Sequence, residues 1–127
     1  FVKQLGKAGL ERIRAMVNLD SLGLTDSKVA GSQSDKDLLL RLAEVAQSME
    51  LPLGRVDVDK VGLSDGLSFR QKKVKTIELH SITQETWPVL HSPRDQIQAV
   101  HLESYYRTYR LITVYLAYLD SKLDTPD

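Results

Sequence analysis

Cysteine is absent from this chain of 127 residues. That excludes disulfides, iron–sulfur clusters and thiolate zinc sites, and leaves the redox compartment open. An excess of either charge is absent too: 17 Lys+Arg balance 17 Asp+Glu, for a formal net charge of zero. No broad attraction to nucleic acid or to an anionic membrane follows. No apolar run approaches the roughly 18 residues that a membrane span requires, and no signal peptide is visible. The chain opens without an initiator methionine on Phe1-Val2-Lys3-Gln4-Leu5, already in helical pattern. The expectation is a start inside a longer protein, whose upstream part has room for both a targeting signal and another domain. No glycine pattern matches a phosphate loop or a dinucleotide fingerprint. Ser64-Asp65 and His91-Ser92 supply residue types for serine-hydrolase chemistry, but without a Gly-x-Ser-x-Gly elbow the support is weak.

What is present suits a single domain spanning residues 1–127, with 42% hydrophobic residues and enough length for a modest core. Residues 1–8 read as the tail of an amphipathic helix, with Gly6 and Gly9 near its end. Residues 13–19 read as a strand, and residues 22–30 as a weaker one before a polar loop. Asp35 is placed to cap a helix to about residue 49, in which Leu38, Leu39, Leu42, Val45, Ala46 and Met49 share one face. Residues 56–59 and 74–80 alternate apolar and polar, as half-buried strands do, with a loop at 62–66 and one helical turn at 67–71 between them.

Residues 82–90 form a long connection of the kind that often carries function. Ser92-Pro93-Arg94-Asp95 has the order of a helix start, a cap, a proline and an acid, and predicts a short helix to about residue 100. The final helix runs from Leu102 to about Lys122, with Tyr105, Tyr109, Ile112, Leu116 and Leu119 on one face. Tyr106, Val114, Tyr115 and Tyr118 broaden its apolar surface, which predicts a well-covered helix. The tail, 124–127, should fray. Strands alternating with helices predict an α/β fold with a mostly parallel, mixed sheet covered by helices.

Met16 to Gly23, MVNLDSLG, is the stretch with the most to say about chemistry. Asp20 ends an apolar strand just before a Ser-Leu-Gly turn, where open α/β sheets place their ligands; capping that turn is the competing role. His91 sits in a loop with Asp95 four residues on, and a metal-bound imidazole needs its second nitrogen oriented by such a group. An exposed loop histidine is the competing reading. His80 reads as a hydrogen-bonded residue at the edge of the core, and His101 as a helix-junction residue. Asp57 and Asp59 fit the solvated face of a strand, and Arg70-Gln71-Lys72-Lys73 a solvated turn.

The order of these motifs is informative. Val17-Asn18-Leu19-Asp20 with Leu22-Gly23 comes first, then Ser64-Asp65 with Phe69, then residues 73–81, KVKTIELHS. His91-Ser92-Pro93-Arg94-Asp95 and a long final helix close the series. This order resembles the C-terminal half of a two-zinc aminopeptidase, of the family that also contains glutamate carboxypeptidases and glutaminyl cyclases. The resemblance implies the C-terminal part of a zinc-exopeptidase fold acting on peptide substrates, two Zn2+ per complete site, and a secreted or periplasmic location. It implies Asp20 and His91 as ligands of different zincs, with Asp65 and Asp95 supporting ligands or fold.

Two positions depart from the family pattern. Leu90 stands where a tyrosine often stabilises the tetrahedral intermediate, and Gly66 stands third in a Ser-Asp-His pattern. The remaining ligands and the general base would lie upstream, so the expectation is an active parent and an inactive isolated chain with an open sheet edge that invites dimerisation. A glutaminyl-cyclase-like acyltransferase and a non-catalytic interaction domain of the same fold are the alternatives.

Overall fold

The computed structural model describes residues 1–58 and 64–123. Asp59, residues 62 and 63 of the expected loop, and the tail 124–127 lie outside the described residues.

The first helix, α1 (Val2–Glu11), is interrupted at Gly6, whose φ of 64° and ψ of −178° suit only glycine. It runs beyond the expected end at Ala8. The amide of Ile13 closes onto Leu10 O at 3.0 Å, so β1 (Met16–Leu19) starts later than residue 13. Of the weak strand expected at 22–30, β2 (Lys28–Val29) forms. The preceding residues are held instead by side chains, with Leu24 N donating to Ser81 Oγ at 2.9 Å. Asp35 caps α2 (Lys36–Ser48), its Oδ1 accepting from Asp37 N and Leu38 N.

The third strand, β3 (Gly54–Arg55), lies two residues before the expected one. Its successor Val56 gives its carbonyl to the His80 ring at 2.8 Å, which takes the chain out of the ladder. One helical turn, α3 (Gly66–Arg70), and β4 (Thr76–His80) follow. The helix expected from Ser92 is a turn and a short 3-10 segment, Ile97–Ala99. Asp95 N bonds Ser92 O at 2.9 Å and the Asp95 carboxylate accepts His91 N at 3.1 Å, so the capping residues close a turn upon themselves. The chain ends in α4 (Leu102–Leu123).

Among the described residues the sheet has four strands in the order β1-β4-β2-β3. The β1–β4 and β2–β3 pairs are parallel and β2–β4 is antiparallel, so the sheet is mixed and mostly parallel. β4 is central, and all five of its residues are buried. Ile77 and Leu79 join Leu38, Leu42, Leu111, Tyr115 and Leu119 in the core beneath α2 and α4. The alternate residues Thr76, Glu78 and His80 are buried as well, which corrects the half-buried strand expected at 74–80. Their face is polar, but it is covered.

The helix α4 is turned relative to expectation. Thr108, Leu111, Ile112, Tyr115 and Leu119 face inward, while Tyr105, Tyr106, Tyr109, Val114 and Leu116 are exposed. Tyr115 Oη donates to Leu38 O at 2.8 Å, and this bond to α2 fixes the rotation. The outward stripe is mostly tyrosine, whose polar tips reach water.

The covered polar face of β4 is held by charge. The Glu78 carboxylate accepts from Asn18 Nδ2 and Ser64 Oγ, both at 2.6 Å, and from the Arg70 guanidinium. A Cβ on Gly66 would overlap Glu78 Oε1. Glycine is therefore required at this helix start by the carboxylate, not by the backbone. Gly66→Ala should destabilise the fold by about 1–3 kcal/mol in denaturant unfolding. An exposed helical glycine would show the opposite sign, because alanine favours helix.

His80 is fixed in one neutral tautomer. Its Nε2–H donates to Val56 O, and its Nδ1 accepts Ile82 N–H at 2.9 Å. Burial pushes its pKa below the ordinary 6.5 and Lys28 acts the same way, against the Val56 carbonyl and the charges of Asp20 and Asp57. The folded state thus disfavours the proton that the unfolded state binds. The contribution of His80 is whole above pH 6.5 and declines as pH falls from there toward the lowered folded value. Unfolding free energy measured from pH 7 to about pH 5 should show this slope, and His80→Gln should remove it.

Candidate functional site

The parallel pairing of β1 with β4 brings the carboxyl ends of both strands to one edge of the sheet. At such an edge open α/β sheets place their ligands. Residues following β1 and residues following β4 line a cavity of about 430 Å³ there. Asp20, Ser21, Leu22 and Leu24 come from the first segment, and Ile82, Trp87, Leu90 and His91 from the second. Asp95, Gln96, Val100, Gln33 and Ser64 also line the cavity.

The two expected ligands meet in this cavity. Asp20 is exposed, and its Oδ1 accepts the Ser21 hydroxyl at 3.0 Å. Its backbone N–H donates to Leu79 O at 3.1 Å, which extends the β1–β4 ladder by one residue. His91 is exposed, and its imidazole makes no hydrogen bond among the described residues. His91 has φ of 57° and Ser21, the residue after Asp20, has φ of 50°; Glu50 and Lys73, outside the cavity lining, share this left-handed region. Side chains other than glycine seldom occupy that region, and such strain gathers at functional sites.

Asp95 lines the cavity but orients His91 through its backbone amide, not through the imidazole. Asp65 lies outside the cavity lining. It is exposed, its backbone carbonyl accepts Ser68 Oγ at 3.1 Å, and its carboxylate has no hydrogen-bond partner among the described residues. His101 is exposed, and its backbone joins Gly23 to the start of α4.

Among the described residues the lining contains two carboxylates and one imidazole, with no lysine or arginine. Its field favours a cation. Carboxylate and imidazole are the donors a zinc ion takes when thiolate is lacking. Among the described residues, however, no group of three or more His, Cys, Asp or Glu is placed to hold a metal ion. Asp20 and His91 therefore fit the role of contributing donors and do not make a complete site. The rest of the lining is apolar. Trp87 and Leu90, three apart about the 3-10 turn Trp87–Val89, fall on one side of it and both face the cavity.

Three residues beside the site carry weight that sequence reading does not assign. Glu78 and Ser81 bind the backbone or side chains flanking Asp20, and Trp87 supplies an aromatic wall. The acid of Glu78 within an apolar strand was the available signal, since a charge at that position must either meet water or collect partners.

Two solved structures of BSAP, a zinc aminopeptidase from Bacillus subtilis, are similar to this chain, each with a TM-score of 0.74 at 19% sequence identity. The likeness covers 91% of this chain and 30% of the Bacillus one, so the chain spans less than a third of that protein's length. No curated protein matches the chain. The model of peptidase family M28 matches residues 1–116, nearly the whole of what has been described, and the chain belongs to that family.

Proposed function

We propose that this chain is the C-terminal portion of a zinc exopeptidase domain, to which it contributes Asp20 and His91 as metal ligands. The observation that carries the reading is their meeting in one cation-favouring cavity at the carboxyl ends of β1 and β4. The likeness to a zinc aminopeptidase agrees with it. Bound zinc would supply polarisation of the scissile carbonyl and a lowered pKa for the attacking water. The chain's own residues would hold and sort the substrate. The carboxylates of Asp20 and Asp95 favour a free N-terminal ammonium, and Ile82, Trp87, Leu90 and Val100 offer an apolar surface to its side chain. The reaction proposed is release of the N-terminal residue of a peptide.

One donor to each metal holds zinc weakly, so the chain of 127 residues alone is proposed to be inactive. In a calorimetric zinc titration it should give no more heat than its Asp20→Ala and His91→Ala variants. The intact natural protein should release free amino acids from peptides in a zinc-dependent way, with both substitutions lowering the rate at least about a hundredfold. Formation of pyroglutamate would favour the cyclase alternative. No turnover with zinc bound would favour an interaction domain.

Among the described residues the edge of β1 is open and carries no charge in Met16–Leu19, and the mostly tyrosine outer stripe of α4 is exposed. Unprotected edges of this kind pair with other chains. Sedimentation of the 127-residue chain should show a mass that rises with concentration, and Leu19→Lys should lower it; a monomer throughout would refute the proposal.

A further inference from the structure

We infer that β4 aims the Asp20 carboxylate from both sides, with Glu78 and Ser81 as positioning residues. The inference rests on the ligand role proposed above for Asp20. Glu78 holds the residue two before it: Asn18 Nδ2 donates to Glu78 Oε2 at 2.6 Å. Ser81 holds the residue after it. The Ser81 hydroxyl donates to Ser21 O, its backbone N–H donates to the same carbonyl at 3.2 Å, and the hydroxyl accepts Leu24 N–H at 2.9 Å. Thr25 Oγ1 completes the closure by donating to Ser81 O at 2.9 Å.

The three-residue interval from Asn18 to Ser21 is thus tied at each end to one buried strand and its first successor. Glu78 is 4% exposed and Ser81 is fully buried. Neither can drift, because Glu78 is also bound by Ser64 and Arg70, and Gly66 leaves it no spare space. Among the described residues the Asp20 side chain has only the hydroxyl of Ser21 as a partner, so its carboxylate keeps lone pairs for a cation. The left-handed Ser21 is the corner that turns the chain at this point, and Ser81 is what holds its carbonyl. Side chains that orient a metal ligand usually act on the ligand's polar atoms. Here the backbone on either side of the ligand is held instead.

The test is zinc affinity of the intact natural protein, by competition with a chromophoric chelator, for wild type, Asn18→Ala, Ser81→Ala and the double variant. Asn18 is half-buried, and Asn18→Ala leaves Ser64 and Arg70 on the Glu78 carboxylate; circular dichroism of each variant reports whether it is folded. Each single substitution should raise the zinc Kd by roughly tenfold, and the double variant by more. Amide exchange of the metal-free protein supplies a second reading: Asp20 and Leu24 should exchange faster in the variants, with α2 unchanged. A role in folding alone would lower the melting temperature and leave Kd as in wild type, and that result would overturn the inference. If wild type binds zinc and Asp20→Ala binds it equally well, the ligand role of Asp20 fails first and the positioning role with it.

Discussion

A carboxylate buried inside the sheet is the constraint on which the described structure depends. Glu78 lies on the central strand with almost no access to water. A charge so placed must gather donors, and it takes them from β1 through Asn18, from the segment before α3 through Ser64, and from α3 through Arg70. Arg70 in turn donates to Gln33 O at 3.2 Å. Three of these segments reach the cavity: Asn18 precedes Asp20, and Ser64 and Gln33 line the wall. Apolar packing would give comparable stability at that position. What a carboxylate adds is direction, since each donor must approach along a lone pair.

Local signals were legible in the sequence, and long-range ones were not. The helix α2 could be read almost to the residue because its cap, Asp35, and its three-four apolar spacing are local. The rotation of α4 could not, because it is fixed by a tyrosine hydroxyl reaching a carbonyl on α2. Alternation in β4 reads the same whether its polar face meets water or α3. The letters Ser-Pro-Arg-Asp fit a helix start and a closed turn equally well. The choice falls to the turn when the Asp95 carboxylate takes the amide of His91. At the site, Asp20 and His91 stood out through motif order, whereas Glu78 and Ser81 act on partners about 60 positions away.

The departure at Gly66 has a physical reading in the same terms. A side chain at that position would occupy the space of the Glu78 carboxylate. Glycine third in the Ser-Asp-Gly sequence and glutamate in β4 are therefore a matched pair, and neither residue is explained without the other. Leu90 has a different consequence. It places a hydrocarbon beside His91 in the cavity lining, where the family pattern often has a tyrosine. Among the described lining residues, the side-chain donor groups are those of Ser21, Gln33, Ser64, His91, Gln96 and the Trp87 indole.

Strain at the site joins these observations. Left-handed backbone at a residue with a side chain costs on the order of 1–3 kcal/mol, and the fold bears it at both Ser21 and His91. Each corner has its own restraint. The Ser81 hydroxyl and amide hold the carbonyl of Ser21, and the Asp95 carboxylate holds the amide of His91. The two restraints come from opposite ends of the segment that follows β4, so that one stretch of chain fixes both sides of the cavity. Metal held by Asp20 and by His91, as proposed above, would add its binding free energy to the folded state alone. Until it does, two strained corners are held in place by hydrogen bonds. That is the arrangement expected where geometry is prepared in advance of the ion.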